Sequence, residues 1–477
     1  MDEIADFGLV VLLVSAGLLL AVLGTRLAAR VSLPNAAIFL AVTAVLASAI
    51  EPLEDVLTVR EVERIAVVAL VVILFDGGLH IGLARFRRSV GPILALGILG
   101  TFATAALVTL AAHYLLGLPW IVSGLVGAAI APTDPAVTFS VLGGRELRGR
   151  TGTVLEGEAG TNDPVGIALM IGLIELANED DGSFSIVVSE FALEMAVGLV
   201  VGVAGAMLLL PVLRRVHLPS PTLYPLRVLA CAGIVYGIAS VAHGSGFLAV
   251  FVAGVLLGDV AVPRKGEIET FHSSLAALAE IAAFAALGLS VGLTGLDDAG
   301  TWGQGLVLAL VLAFVARPLA VWPLLVPVRM ARREKVFVVW GGLKGAVPIL
   351  LGALAVLGEV DDSERIYGIV FVVVLFSVVV QGASVPHVAK RLGLSFRAVD
   401  HDLAEVLEYV VREDAFANGR ALRELPLGDR AWVGVLIRDG RPQGFGPETR
   451  LVPGDRVHVY CQPDDAAALG RIFAGAG

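Results

Sequence analysis

Apolar residues run in long blocks over roughly the first four-fifths of the chain, and short polar stretches separate the blocks. A helix of about 20 apolar residues is long enough to cross the hydrocarbon core of a bilayer. Thirteen blocks fit this length, near 7–27, 32–50, 65–83, 90–115, 119–142, 153–174, 186–213, 224–242, 246–260, 272–293, 302–327, 336–357 and 366–388. The pattern predicts an all-α polytopic membrane protein with about 13 transmembrane helices.

The charge of the loops alternates along the chain. Basic residues fill one set of loops, namely Arg26, Arg30, Arg85, Arg87, Arg88, Arg145, Arg148, Arg150, Arg214, Arg215, Arg264, Lys265, Arg329, Arg332, Arg333, Lys335, Lys390 and Arg391. Acidic residues dominate the other set, at Glu51, Glu54, Asp55, Glu179, Asp180, Asp181, Asp297, Asp298, Asp361 and Asp362. Because cytoplasmic loops carry the excess of Lys and Arg, we predict an external N-terminus and a cytoplasmic C-terminus.

The composition changes near residue 393 to that of a small soluble domain. We predict strands at 408–412, 432–437 and 456–460, and a short helix at 418–425. The chain is therefore divided into a transmembrane domain at 1–392 and a cytoplasmic α+β domain at 393–477.

Composition supports the membrane assignment, because 57% of the 477 residues are hydrophobic and only 16% are charged. A soluble protein would carry about a quarter charged residues. The two cysteines, Cys231 and Cys461, show no metal-ligand spacing and no disulfide framework. We predict membrane lipid as a partner, no cofactor, and no binding of nucleic acid. The first apolar block follows acidic rather than basic residues, so we predict a retained span and not a signal peptide.

Carboxylates within an apolar block are costly and point to function. The block at 153–174 contains the sequence Glu158-Ala-Gly-Thr-Asn-Asp163-Pro. Five residues correspond to about 500° of helical rotation, so the two carboxylates point to different sides. This separation predicts one carboxylate at a binding site and one with a structural role.

Two of the predicted spans are interrupted. Prolines flank Thr133 and Asp134 in one span, and Gly341-Gly342-Leu343-Lys344-Gly345 interrupts another. Irregular backbone at membrane depth is tolerated only inside protein or around a cavity. A pair of broken helices predicts inverted repeats that cross at a site near the bilayer midplane.

Two cations, Arg317 and Lys344, lie within apolar blocks and should each face an acid. The acids available to them are Glu158, Asp134, Asp76 and Glu280. Spacing alone does not choose among these partners.

These motifs resemble the monovalent cation:proton antiporter-1 family. Glu158-Ala-Gly-Thr-Asn162-Asp163 is similar to the family's Glu-Ser-x-x-Asn-Asp signature, and Thr133-Asp134-Pro resembles its unwound-helix motif. Gly-Leu-Lys344-Gly-Ala-Val-Pro is similar to its Gly-Leu-Arg-Gly-Ala-Val-Pro. The C-terminal part resembles the TrkA-C (RCK-C) regulatory domain, and the combination is typical of bacterial potassium/proton antiporters linked to cell-volume regulation.

The resemblance implies that Asp163 binds the cation and the proton, with Asn162, Thr133 and Asp134 around it. It also implies a structural ion pair between Glu158 and Lys344. Accessory roles are assigned to four further residues: Asp76, Thr161, Glu280 and Arg317. Ala159 replaces a Ser of the family and Lys344 replaces an Arg, which bears on ion selectivity.

The predicted function is secondary antiport, and no enzyme activity is expected. One carboxylate holds either a proton or a cation, K⁺ in preference to Na⁺. The family resemblance implies that the neutral Asn162 goes with electroneutral exchange. We also expect a bacterial or archaeal inner-membrane location, a homodimer, and a small regulatory ligand such as a nucleotide at the C-terminal domain. A cation channel and a sodium-coupled organic solute symporter are the alternatives, although no channel-type selectivity filter is present in the sequence.

Overall fold

The computed structural model describes residues 34–49, 57–142, 145–147, 150–178, 184–290, 300–394, 396–398, 405–427, 431–461 and 466–474, and the single positions 19 and 23. The chain forms two compact units, Met1–Arg397 and Ala398–Gly477. Apart from positions 19 and 23, the predicted first span at 7–27 lies outside the described residues.

The first unit is helical. Its first eight described helices are α1 (Asn35–Ala49), α2 (Val59–Leu94), α3 (Thr101–Leu116), α4 (Trp120–Ile130), α5 (Pro135–Val141), α6 (Thr151–Asn178), α7 (Phe184–Arg215) and α8 (Leu223–Val241). The next eight are α9 (Gly246–Gly258), α10 (Lys265–Leu289), α11 (Thr301–Val311), α12 (Arg317–Leu325), α13 (Arg332–Trp340), α14 (Ala346–Leu357), α15 (Ser363–Phe376) and α16 (Gly382–Arg391). A two-stranded sheet pairs β1 (Arg145–Leu147) with β2 (Phe396–Ala398).

Within the described ranges, six helical stretches are long and apolar enough to cross a membrane. They are Val59–Leu116, Val188–Arg215, Leu223–Val241, Lys265–Leu289, Thr301–Leu325 and Ser363–Arg391. The first stretch contains 58 residues, more than twice the roughly 20 residues that one crossing needs. Gly82 interrupts it with φ of 65° and ψ of 160°, next to the predicted loop with Arg85. The multi-spanning architecture follows, while thirteen spans remain a prediction.

Three π-helical segments join pairs of these helices, at Ala95–Gly100, Leu312–Ala316 and Ser377–Gln381. A π-helical turn adds a residue to the helix and shifts which side chains face a neighbour. The second segment ends next to Arg317, a buried cation, and the third contains the buried residue Ser377. Each of these two residues contacts the interrupted span at 336–357, Arg317 at the Val339 carbonyl and Ser377 at the Lys344 N–H.

The two predicted helix interruptions are present. Helix α4 ends at Ile130, and α5 begins at Pro135 after a short non-helical stretch. In the same way, α13 ends at Trp340 and α14 begins at Ala346. Residues 131–134 and 341–345 contact each other, since Asp134 N–H donates to the Leu343 carbonyl at 2.8 Å.

Glycines allow close helix packing in two places. A Cβ at Gly78 would lie 2.6 Å from the Phe251 carbonyl oxygen, and one at Gly254 would lie 2.6 Å from the Phe75 carbonyl oxygen. Helices α2 and α9 therefore meet backbone to backbone. On α6, Gly160 leaves space for the Phe251 ring, because a Cβ there would lie 2.1 Å from a ring carbon.

The second unit contains a four-stranded antiparallel sheet in the order β3-β6-β4-β5. The strands are β3 (Glu405–Val410), β4 (Trp432–Arg438), β5 (Arg441–Gln443) and β6 (Arg456–Cys461), and α17 (Ala466–Phe473) follows. Leu436, Val457 and Val459 of the sheet are buried in one core with Leu469 and Phe473 of α17. The predicted α+β class is correct, but the predicted helix at 418–425 contains only the 3₁₀ turn Leu422–Glu424.

An ion pair connects the end of β4 to the residue that precedes β6. Arg438 donates from Nε and Nη2 to the two carboxylate oxygens of Asp455, each at 2.7 Å, and Val452 N–H donates to the same carboxylate at 2.9 Å. Burial alone would raise the pKa of Asp455, but these hydrogen bonds and the Arg438 charge hold it below the usual value. The pair therefore stabilises the folded domain above about pH 4, and this contribution is lost as the pH falls through the lowered pKa.

Candidate functional site

Helix α6 carries the central acidic motif through the interior of the first unit. Every residue from Gly157 to Leu169 is buried, including Glu158, Asn162 and Asp163. The helix remains regular through this stretch, so the two carboxylates five residues apart diverge around its axis as predicted. Glu158 and Asp163 therefore lie in two different polar surroundings.

Asp163 lies beside the first interrupted helix. Asn162 Nδ2 donates to Thr133 Oγ1 at 2.7 Å, which brings α6 and residues 131–134 together. In the described part of the chain, Asn162 Oδ1 and Asp163 Oδ1 are sealed from solvent and accept no hydrogen bond. Buried oxygens without a partner are costly and call for an explanation. Thr133, Asn162 and Asp163 thus supply oxygen atoms of the type that alkali cations prefer.

Asp134 is held where the two interruptions meet. Its N–H donates to Leu343, and a Cβ at Gly345 would lie 1.9 Å from its Oδ2 atom. Gly345 therefore leaves the space that the Asp134 side chain occupies. From α5, Thr138 Oγ1 donates to the Gly341 carbonyl at 2.7 Å, which adds a second link between the interruptions.

The structure corrects the predicted ion pair between Glu158 and Lys344. Glu158 pairs instead with Arg317, which donates from Nη1 at 2.9 Å and from Nη2 at 3.3 Å to the two carboxylate oxygens. Arg317 also donates to the carbonyls of Val339 and Val338, at 2.9 and 3.2 Å. Its planar fork reaches four acceptors at once, which the single ammonium of a lysine cannot do in this geometry.

Gly342 makes room for this arginine. A Cβ at Gly342 would lie 1.9 Å from Cζ of Arg317 and 2.0 Å from Nη2. The glycine of the interrupted span is therefore needed for close approach to a side chain. Arg317 and Glu158 are both nearly inaccessible to solvent, at 3% and 2% of their side-chain surface. Removing either partner would leave the other charge buried and unpaired.

Lys344 contacts the end of a helix rather than a carboxylate. Its Nζ donates to the carbonyls of Ala131 and Pro132, at 2.7 and 2.9 Å. These carbonyls follow the C-terminus of α4, where the helix dipole places partial negative charge. Lys344 also lies within electrostatic range of Glu158, Asp163 and Arg317. The amine therefore joins the two interruptions and balances charge close to Asp163.

The remaining predicted residues lie in different surroundings. Asp76 belongs to a second polar cluster, in which His80 Nδ1 and Ser273 Oγ each lie 3.3 Å from its Oδ1 atom. Thr161 donates its hydroxyl to the Gly157 carbonyl within α6. Glu280 is within electrostatic range of Asp134, and its sealed Oε1 atom has no hydrogen-bond partner among the described residues.

Sequence reasoning missed three polar residues that hold the second interruption, namely Thr138, Ser377 and Gln381. Ser377 Oγ accepts from Lys344 N–H at 2.9 Å, and Gln381 Nε2 donates to the Trp340 carbonyl at 2.8 Å. The available signal was a polar pair four residues apart within the apolar block at 366–388. Such a pair shares one face of a helix and should meet a polar partner.

Comparisons with known proteins find matches for both parts of the chain. Residues 3–391 match the family described as sodium/hydrogen exchanger, transmembrane, and residues 406–474 match the TrkA-C domain. The K(+)/H(+) antiporter NhaP2 of Shewanella sp. (strain ANA-3) is 32% identical over 494 residues, which cover 100% of this chain and 84% of that protein. The Na(+)/H(+) antiporter NhaH of Halobacillus aidingensis is 30% identical over 366 residues, which cover 72% of this chain and 88% of that protein.

Among solved structures, the sodium proton antiporter MjNhaP1 from Methanocaldococcus jannaschii has a similar fold, with a TM-score of 0.67. The two chains are 22% identical, and the match covers 80% of this chain and 100% of the other.

The buried pair of Glu158 and Arg317 yields a stability prediction. Glu158→Gln or Arg317→Met should each lower the free energy of unfolding by about 3–5 kcal/mol, because each leaves an unpaired buried charge. The double variant should regain part of this loss. Arg317→Lys should also destabilise, since an ammonium cannot reach all four acceptors. Unfolding of the purified protein in detergent measures these effects.

Arg365→Met is the matched control, because Arg365 is only partly buried and donates from Nε to Gln304 Oε1 at 3.0 Å. It should cost less than about 1 kcal/mol. If the losses of Glu158→Gln and Arg317→Met simply add in the double variant, the two residues do not form an energetically coupled pair.

Proposed function

This chain belongs to the sodium/hydrogen exchanger family and carries a C-terminal TrkA-C domain, and we propose that it works as a secondary antiporter. It exchanges a monovalent cation for protons across the cell membrane of a bacterium or archaeon. Exchange proceeds by alternating access, in which Asp163 binds the cation and the proton in turn.

The surroundings of Asp163 support this proposal most directly. Asp163 Oδ1 and Asn162 Oδ1 are sealed and have no hydrogen-bond partner among the described residues, and Thr133 Oγ1 lies next to Asn162. A dehydrated alkali cation needs several oxygen ligands, and these three atoms provide part of such a set. A proton on Asp163 satisfies the same carboxylate when the cation is absent.

Competition at one carboxylate couples the two ions. The carboxylate cannot hold a proton and a cation at the same oxygen atoms, so binding of one releases the other. Alternating exposure of the site to the two sides of the membrane then converts this competition into exchange. Since Asn162 is neutral, a single carboxylate in this motif changes its proton, and we propose electroneutral exchange of one cation for one proton.

We propose K⁺ as the preferred cation. The NhaP2 relative that matches the whole chain is a K(+)/H(+) antiporter, whereas the Na(+)/H(+) antiporter NhaH matches a smaller share of it. Ala159 and Lys344 are the two departures near the site that bear on selectivity. Rates of exchange with K⁺ and Na⁺, measured side by side in vesicles, test this preference.

The other charged residues at the site have supporting roles in this proposal. Arg317 and Glu158 fix the end of α13 against α6 through their ion pair. Lys344 fixes the two interruptions and offsets negative charge near Asp163. Asp134 and Glu280 lie within electrostatic range of each other and can adjust the local charge.

Three further proposals concern the orientation of the chain in the membrane, its regulatory ligand and its oligomeric state. We propose that the N-terminus lies outside, that the C-terminal unit lies in the cytoplasm, and that this unit binds a small regulatory ligand such as a nucleotide. We also propose that the protein is a homodimer. The mass of the particle that the full chain forms in detergent tests this proposal, and the mass of a monomer would contradict it.

Asp163→Asn should abolish exchange while the protein still inserts and folds, because an amide cannot alternate between a proton and a cation. The measurement is proton movement in vesicles that contain the purified variant, on addition of K⁺ or Na⁺. Glu175→Gln is a suitable control, since Glu175 lies on the same helix three turns further along. Exchange at the wild-type rate by Asp163→Asn would remove Asp163 from the mechanism.

The apparent cation constant should depend on pH in a specific way. Below the pH at which Asp163 titrates, each unit of acidification should raise the constant about tenfold, by linkage at a single shared site. Above that pH the constant should become level, because the carboxylate carries no proton. Exchange kinetics at a series of pH values measure the curve. A constant that does not change with pH would mean separate proton and cation sites.

Truncation after Arg397 should leave exchange intact and alter its dependence on cytoplasmic pH or on a small ligand. The reason is that the two compact units separate at this residue, while all residues proposed to bind ions lie in the first. The same vesicle assay, with the full chain beside it, measures the difference. A well-folded truncated protein without exchange would show that the C-terminal unit is required for transport itself.

A further inference from the structure

The interruption between α13 and α14 lacks one particular hydrogen bond. In a regular α-helix, Lys344 N–H would donate to the Trp340 carbonyl, four residues earlier. Residues 342–345 are not helical; Lys344 is buried and Trp340 is half-buried. Without other partners, the Lys344 N–H would be buried and unsatisfied, and the Trp340 carbonyl would lose its hydrogen bond within the protein.

Two side chains from a different helical stretch replace this bond. Lys344 N–H donates to Ser377 Oγ at 2.9 Å, Ser377 Oγ donates to Gln381 Oε1 at 3.2 Å, and Gln381 Nε2 donates to the Trp340 carbonyl at 2.8 Å. The three hydrogen bonds form a continuous relay between the same two backbone groups. Ser377 and Gln381 are themselves buried, with 2% and 6% of their surface exposed.

The relay comes from the π-helical segment Ser377–Gln381. Ser377 and Gln381 are the first and last residues of this segment, and side chains four residues apart lie on one side of a helix. This places the serine hydroxyl and the glutamine amide together on the face that meets Trp340 and Lys344. Ser384 adds to the arrangement, since its hydroxyl donates to the Gln381 carbonyl and accepts from Trp340 Nε1.

We propose that Ser377 and Gln381 are positioning residues for the ion site, and that they hold the second interruption open. The inference rests on the proposed antiport function. The open backbone lets Lys344 Nζ reach the carbonyls of Ala131 and Pro132, and lets the Leu343 carbonyl accept from Asp134. Through these contacts the relay fixes residues 131–134, where Thr133 lies next to Asn162.

Loss of the relay leaves the chain a simple alternative. Lys344 N–H and the Trp340 carbonyl can then bond directly and extend α13, which the glycines at 341, 342 and 345 permit. Such a closure draws Leu343 and Lys344 away from the first interruption. The direct bond satisfies the two backbone groups, but the bonds of Leu343 and Lys344 to the first interruption are lost, and the ion site loses its geometry.

The test uses the full chain, purified and reconstituted, with Ser377→Ala and Gln381→Met as the disrupting variants. Ser377→Thr keeps the hydroxyl, and Ser123→Ala is the matched control, because Ser123 is a buried serine that donates within its own region to the Leu118 carbonyl. Two quantities are measured with K⁺ and with Na⁺: the apparent cation constant of exchange, and the rise in melting temperature that the cation produces.

Both disrupting variants should raise the apparent cation constant about tenfold, the factor that corresponds to about 1.4 kcal/mol. The rise in melting temperature at a fixed cation concentration should shrink accordingly. Ser377→Thr and Ser123→Ala should stay within about twofold of the wild type. In the absence of cation, Ser377→Ala and Gln381→Met should melt below Ser123→Ala, because the bonds from Leu343 and Lys344 to the first interruption are lost.

A cation constant that neither disrupting variant changes would overturn the inference. If the melting temperature without cation falls strongly in the same variants, that result indicates a structural role only. If Ser377→Ala does not fold, the cation constants of Gln381→Met and Ser377→Thr are compared instead, and the same outcomes apply. A wild type stabilised by K⁺ but unable to exchange it would refute the antiport proposal and leave the melting comparison valid. A wild type that responds to neither cation would overturn both.

Discussion

Every backbone group released by a broken helix inside a membrane protein needs a partner from the protein itself. The rest of this site depends on how that requirement is met at residues 131–134 and 341–345. Side chains from α5, α12 and the 377–381 segment take up the freed groups of the second interruption. The first interruption is then held by the second, through the Lys344 ammonium and the Leu343 carbonyl.

Arginine and lysine have different tasks in this arrangement because their shapes differ. The Arg317 guanidinium binds a carboxylate in a two-pronged manner and still reaches two carbonyls, so its charge is fully occupied. The Lys344 ammonium is compact, bonds two carbonyls, and remains within range of Asp163. Arg317, which is paired with a carboxylate, therefore stabilises the scaffold. Lys344, which bonds only carbonyls through its ammonium group, lies near the ion site.

Much of the architecture could be predicted from the sequence, since apolar blocks, broken spans and buried acids are local patterns. Glu158, Asn162 and Asp163 belong to one short motif, and Thr133 belongs to another. Packing of the two spans side by side is therefore enough to bring these residues together. The partner of Glu158 could not be found in this way. Arg317 and Lys344 both satisfied the rule that a buried cation faces an acid, and the choice depends on shape and on the space left by Gly342.

The Ser377 and Gln381 relay was missed for a different reason. The two residues form a polar pair four apart, but the groups that they contact lie 33 and 41 residues away along the chain. The same limitation applies to Thr138, whose acceptor lies 203 residues away along the chain. Backbone groups that are released where a helix breaks can hydrogen-bond to any element packed beside them. Which elements those are is known only from the folded structure.

The contact between Gly160 and the Phe251 ring has a consequence for how sequences of this type can diverge. A side chain at position 160 has no space while position 251 carries an aromatic ring, and a small residue at 251 would leave a void beside the acidic motif. Substitutions at the two positions should therefore occur together, because either substitution alone gives a poorly packed protein. Across an alignment they should show correlated volumes, with their sum nearly constant, although they lie on different helices.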